Sequence, residues 1–199
     1  METILLFLAN ITVLIVYFTY IKQVIKGSST PNPSTWIIWF AVTLLNALTY
    51  DQIVDSSLKG LIAKLAAILM LIIMIYSLVK GKFSSLKKID TVALIACVII
   101  GIFWKTTGLV NIANLLLQMI LMIAFVPTII GLIQGSGKEK PLPWILAVVA
   151  YVFQISALCL NLEGNYFSLV YPITNGLIGN GSVAVTAIII NRKAAHQAR

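Results

Sequence analysis

The chain has 199 residues, of which 60% are hydrophobic and 10% charged, and its formal net charge is +8. So much apolar side chain exceeds what the interior of a water-soluble domain of this length can hide. Nucleic acid is not the expected partner despite the basic balance, because the Lys and Arg flank long apolar runs, where they set membrane topology rather than build a phosphate-binding face.

In chain order the apolar runs cover residues 3–25, 36–50, 58–79, 91–104, 109–133, 144–160 and 167–190. About 20 mostly apolar residues cross the roughly 30 Å of bilayer hydrocarbon, so the pattern predicts an all-α membrane protein with seven transmembrane helices. Glu2 and no basic stretch precede the first run, unlike a cleavable secretory signal, so that run is expected to be a permanent helix. Breakers separate the runs: 27–34 with Pro31 and Pro33, the basic stretch 80–88, 135–143 and 163–165. The fourth run is the weakest and borrows polar flanks to reach across. Without it, Lys138, Lys140, Arg192 and Lys193 would change sides of the membrane.

Orientation follows from the lysines and arginines, since cytoplasmic loops retain positive charge. With the N-terminus outside, the inward segments carry Lys22, Lys26, Lys80, Lys82, Lys87, Lys88, Lys138, Lys140, Arg192, Lys193 and Arg199. The outward ones carry only Lys59 and Lys105, beside Glu2, Asp51, Asp55 and Glu163. An N-out, C-in protein of the cell (plasma or inner) membrane is expected. Cys97 and Cys159 lie inside apolar runs and read as small buried hydrophobes, not a disulfide framework.

Sliding the chain against itself by 108 positions brings Gly27 onto Gly135, Ser28 onto Ser136, Pro33 onto Pro141 and Trp36 onto Trp144. The same offset puts Asn10 on Gln118 and Asn46 on Gln154. The expected organisation is a first three-helix repeat (1–80), a basic loop and linker helix (81–108), a second three-helix repeat (109–191) and a cytoplasmic tail (192–199). An odd linker helix keeps the two repeats parallel, with a substrate site near the midplane between them.

Four features together resemble the SWEET and PQ-loop superfamily: the three-plus-one-plus-three plan, Val126-Pro127-Thr128 ahead of a Gly-containing loop, the Pro-x-x-Trp start of helices two and six, and Pro172-Ile173-Thr174-Asn175-Gly176 in the last helix. The resemblance covers nearly the whole chain. It implies alternating access around a central pocket for small solutes such as sugars, amino acids or vitamins, although relatives include a cargo receptor. It also implies that Asn175 is the pocket Asn of the second repeat. The matching position in the first repeat is Ala67, the positions of the pocket Trp hold Asn46 and Gln154, and no Pro-Gln dipeptide is present.

Polar side chains in lipid are costly unless they face a partner or water, which makes them functional candidates. Lys64 is the only charge well inside a predicted span, one turn before Ala67. Either its ammonium faces the pocket and favours an anionic solute, or it snorkels to the outer interface. Asn175, Asn46 and Gln154, with Asn10 and Gln118 behind them, either bind solute or tie helices together. Pro127 and Pro172 are candidate hinges or static bends. Trp36, Trp39, Trp104 and Trp144 lie near helix ends and read as an aromatic belt, while Gly176, Gly179 and Gly181 read as close-packing positions.

All six acidic residues fall in predicted loops or at termini, which favours facilitated over proton-coupled movement. The only histidine, His196, is in the tail, so neither a metal cluster nor a Ser-His pair is expected in the membrane. Gly179-Asn180-Gly181-Ser182 lacks the Gly that a nucleophile elbow requires. No enzyme, cofactor or metal is expected. The expected partners are a small solute and the lipid bilayer, with a homo-oligomer left open, and the alternative from another class is a non-transporting receptor or assembly factor.

Overall fold

The computed structural model describes residues 1–31, 33–80 and 88–197. Lys82, Lys87 and Arg199, and the side chains of Pro33, Lys88 and His196, lie outside the described residues. The described residues form helices and no strand. These are α1 (Glu2–Ile25), α2 (Pro33–Ile53), α3 (Ser57–Lys80), α4 (Lys88–Thr107), α5 (Val110–Ile133), α6 (Pro141–Leu160) and α7 (Phe167–Tyr171), which continues through a π-helical segment (Pro172–Asn180) into α8 (Gly181–Gln197).

Five of these rods are long and apolar enough to cross a membrane: α1, α3, α5, α6 and the composite 167–195. At about 1.5 Å per residue, the 24-residue helices α1, α3 and α5 span about 36 Å, more than the hydrocarbon of a bilayer. Helix α4 offers a shorter apolar stretch, Thr91–Thr107. The polarity of α2 comes largely from Thr43, Asn46, Thr49 and Tyr50, all of which the bundle buries.

Burial is inverted relative to a soluble domain. Asn46 and Gln154 are 0% exposed, while Phe7, Phe18, Val98, Ile99 and Ile102 on the outside are at least 59% exposed. Such a surface suits lipid, not water, and identifies an integral membrane protein.

Helix α3 packs on both α1 and α2, and the composite helix packs on both α5 and α6. The two triplets join through α1 against α6 and α2 against α5, while α4 lies against α2 and α5. Buried alanines at the seams, among them Ala9, Ala63, Ala113, Ala150 and Ala187, allow close backbone approach.

Helices α1 and α5 stop in the same way. Gly27 (φ 69°) and Gly135 (φ 70°) take the left-handed conformation that terminates a helix without Cβ strain. Their N–H groups return to Val24 O at 3.0 Å and Leu132 O at 3.3 Å. The hydroxyls of Ser28 and Ser136 then donate to Gln23 O and Gly131 O, at 3.1 and 3.4 Å. The two turns that follow lie side by side: Thr30 N–H donates to Lys138 O at 2.9 Å, and Lys138 N–H to Thr30 Oγ1 at 3.0 Å.

Candidate functional site

A cavity of about 50 Å³ opens between the triplets, lined by α1, α2, α3, α5, α6 and the π segment. Its walls are aromatic: Tyr17 and Tyr20 from α1, Trp36 and Trp39 from α2, Phe125 from α5, Trp144 and Tyr151 from α6. Trp36 and Trp39 meet edge-on at 5.0 Å between centroids, Trp39 lies 5.2 Å from Phe125 and 5.9 Å from Trp144, and Tyr20 bridges Trp36 and Trp144 at 5.2 and 6.0 Å. A water needs roughly 10–15 Å³ of such space, so the cavity holds a few waters, and a metabolite requires the walls to part.

Asn175 is the one amide among the sequence candidates that borders this cavity. Its Nδ2 donates to Tyr151 Oη at 3.0 Å, and Tyr151 Oη lies 2.6 Å from Tyr171 Oη. Among the described residues its Oδ1 has no hydrogen-bond partner, and Asn180 also reaches the cavity. The indole N–H of Trp39, 3% exposed, is buried and unpartnered, which leaves a donor free for a ligand.

Asn46, Gln118 and Gln154 tie helices together. Asn46 Oδ1 accepts from Asn114 Nδ2 at 2.9 Å and from Gln118 Nε2 at 2.7 Å, joining α2 to α5, and Thr174 Oγ1 reaches Gln118 Oε1 at 3.3 Å. Gln154 Nε2 donates to Tyr50 Oη at 3.3 Å and Lys59 O at 3.1 Å, joining α6 to α2 and α3. Asn10 Nδ2 turns back on its own helix, to Leu6 O at 2.7 Å. Lys64 forms an ion pair with Asp51, both side chains more than a third exposed, and does not border the cavity.

Pro127 sits within α5, which runs on through it. Pro172 opens the π segment. Having no N–H, Pro172 cannot donate to the carbonyl four residues back, Ser168 O. Tyr50 Oη of α2 donates there at 2.7 Å. Asn180 Nδ2 donates to Asn175 O at 2.6 Å, satisfying another carbonyl of the loosened helix. A π segment beside a cavity commonly marks a functional site. Gly176 packs against the Tyr151 ring and Gly179 against Phe125, with no room for a Cβ at either, whereas Gly181 has nothing nearer than Val148 at 3.9 Å.

Several expectations are corrected. Cys159, unlike Cys97, is exposed rather than buried. Trp36, Trp39, Trp104 and Trp144 do not form a lipid-facing belt: all four are buried, and three line the cavity. The helix ends that carry Trp36, Trp39 and Trp144 converge on one another, so the rings turn inward. The acidic residues are also not all in solvated loops or termini. Asp51 ends α2, and Glu139, in the turn before α6, is only 7% exposed. Glu139 Oε1 accepts from Tyr20 Oη at 2.9 Å and its Oε2 from Trp144 Nε1 at 3.3 Å. Burial pushes its carboxyl up to about 7, against the hydrogen bonds from Tyr20, Trp144 and Ser29 that favour the charged form. Sequence reasoning passed over Glu139 because Lys138 and Lys140 flank it and make the turn look solvated. The only available signal was Trp144, five residues on.

Separate sets of bonds join the triplets at their two ends. At the lysine-rich end they are the Thr30–Lys138 pair, Lys140 N–H to Ser29 Oγ at 3.3 Å, and Tyr20 to Glu139. At the other end they are Tyr50 to Ser168 O, Asn165 Nδ2 to Ile53 O at 2.7 Å, and Gln154 to Tyr50. Beside them Lys59, 4% exposed, pairs with Glu2 at 3.1 Å and Asp55 at 2.8 Å. Among the described residues no group of His, Cys, Asp and Glu could hold a metal ion. No protein-family model, curated protein or solved structure matches the chain.

Proposed function

We propose that this chain is a carrier that moves a small polar solute across the membrane by alternating access, without catalysing a reaction. The observation that carries the reading is an aromatic cavity between two triplets that are joined by separate sets of bonds at their two ends. Breaking one set while keeping the other exposes the cavity to one side at a time. That is the requirement for moving a solute without leaking it.

The seven-span, N-out, C-in arrangement with two parallel triplets and a linker helix belongs to the same reading. It is supported by the matching glycine-terminated ends of α1 and α5, by the pairing of Thr30 with Lys138, which are 108 positions apart, and by the corresponding packing of α1 on α6 and α2 on α5. The SWEET-like and PQ-loop-like plan is proposed on the same grounds.

The lining sets the solute's chemistry. Trp36, Trp39 and Trp144 offer apolar faces, while the Trp39 N–H, Asn175 and Asn180 offer hydrogen bonds. A sugar, amino acid, vitamin or similar metabolite with a flat or apolar face and at least one acceptor fits this lining. Lys64, paired with Asp51 away from the cavity, gives no preference for anions.

The test is reconstitution in liposomes with a panel of radiolabelled sugars, amino acids and vitamins. Saturable flux of at least one, lost in Asn175→Leu, is the expected result. Flux of none, with a protein partner co-purifying tightly, would instead favour a receptor or assembly factor on the same framework.

A further inference from the structure

Glu139 is the only acidic residue that is buried among the described residues. It also stands where three parts of the fold meet. Its carboxylate joins Tyr20 of α1 to Trp144 of α6, both cavity-lining, and its carbonyl accepts from Asn191 Nδ2 of α8 at 2.9 Å. The residues on either side of it hold the turn after α1, through Thr30 and Ser29.

The titratable group bonded to it is Tyr20 on α1; the elements that contact it also carry Lys22 and Lys26 at the end of α1, Lys138 and Lys140 in its own turn, and Arg192 and Lys193 on α8. Lys140 Nζ is engaged by Asn191 Oδ1 at 3.0 Å, and Arg192 and Lys193 are exposed. None of the described cations forms an ion pair with Glu139. A buried carboxylate with hydrogen bonds from Tyr20, Trp144 and Ser29 but no counter-charge is costly, and the neutral acid is less so.

We propose that Glu139 is a proton-binding site that latches the lysine-rich mouth of the cavity. When neutral, its carboxyl stays buried and holds Tyr20, Trp144 and the two turns together. When the O–H bond breaks and the proton passes to water, the buried charge gains more from hydration than from its hydrogen bonds to Tyr20, Trp144 and Ser29, so water enters and the mouth opens. The latch deepens the carrier reading and rests on it, since it acts on the same cavity walls. It ties access from the lysine-rich side to pH, with opening favoured as pH rises because burial raises the carboxyl above its ordinary range.

The test needs no solute. Three of the four tryptophans line the cavity, so quenching of their emission by acrylamide, a neutral water-soluble probe, reports opening. The full chain in phosphatidylcholine nanodiscs is measured from acid to alkaline pH. The expected result is weak quenching at acid pH, a severalfold rise toward alkaline pH, and constant helical circular dichroism. Glu139→Gln, which mimics the neutral acid, is expected to quench weakly at every pH. Tyr20→Phe removes a donor to the carboxylate and is expected to move the midpoint to higher pH, an effect that loss of folding would not imitate.

Quenching that is flat with pH in the unaltered chain would overturn the proposal. So would a wild-type pH response retained in Glu139→Gln, a midpoint unmoved in Tyr20→Phe, or a rise that accompanies helix loss. Any of these leaves the carrier reading standing, whereas absence of flux for every solute with the pH response intact would sink the carrier reading alone.

Discussion

Three glycines on the last helix separate packing from propensity. Replacing a helical Gly by Ala gains about 1 kcal/mol in propensity, while overfilling a packed seam costs about 1–3 kcal/mol. At Gly176 a new Cβ meets Cβ and Cγ of Tyr151, atoms fixed by the α6 backbone and by the Tyr151 bonds to Tyr171 and Asn175. The clash cannot be relieved by a rotamer change, so Gly176→Ala is expected to lose about 2 kcal/mol net. At Gly179 the new Cβ meets the far edge of Phe125, which can swing within its contact with Trp39. Gly179→Ala should therefore lose less, and shortening the ring with Phe125→Leu should recover most of the loss. Gly181→Ala, with only Val148 at 3.9 Å, should gain up to about 1 kcal/mol. At roughly 2–4 °C per kcal/mol for a chain of this size, thermal melting in detergent should place Gly181→Ala about 6–12 °C above Gly176→Ala. Equal melting temperatures for the three variants would refute the close approach of this helix to α5 and α6.

Other outcomes follow from the same coordinates. A double-mutant cycle between Asn46→Ala and Gln118→Ala should give a coupling of about 0.5–1.5 kcal/mol in chemical denaturation, while Asn10→Ala, whose bond stays within its own helix, should be nearly neutral. Lys64→Met should cost under about 1 kcal/mol, since its pair with Asp51 is well solvated. Lys59→Met should cost more, about 1–3 kcal/mol, because Lys59 is buried while Glu2 and Asp55 remain partly solvated. Glu139 binds its proton more tightly in the folded chain than at its ordinary 4.5, so its contribution to stability is complete below pH 4.5 and is lost as pH rises to about 7. The loss amounts to roughly 3 kcal/mol and should disappear in Glu139→Gln when denaturation is compared at acid and alkaline pH.

The helices and their order were legible because each apolar run is a helix and the Gly- and Pro-containing breaks after α1 and α5 are turns. Their ends were less so: α2 reaches Ile53 and α4 reaches Thr107, beyond runs closing at 50 and 104, because polar residues continue a helix once lipid no longer selects against them. The π segment left only Pro172 as a trace, since the extra turn depends on Tyr50 and Asn180 reaching particular carbonyls. Asn175 was singled out through the resemblance, as the Asn of the second repeat, and it borders the cavity. Asn46, Gln118 and Gln154 stood out equally, and nothing in one sequence says whether an amide faces a neighbouring helix or a cavity. The Lys64 and Asp51 pair bridges a turn between two helices, a contact invisible to helical spacing. The buried tryptophans and Glu139 were missed for one reason: their surroundings come from helix ends far apart in the chain.

Cysteine accessibility at Ala66, a cavity-lining residue that is 3% exposed, tests alternating access most directly. In proteoliposomes of uniform orientation, Ala66→Cys should react with a membrane-impermeant thiol reagent applied from either face. Reaction from one face only, or from neither under any condition of pH or solute, would contradict the account.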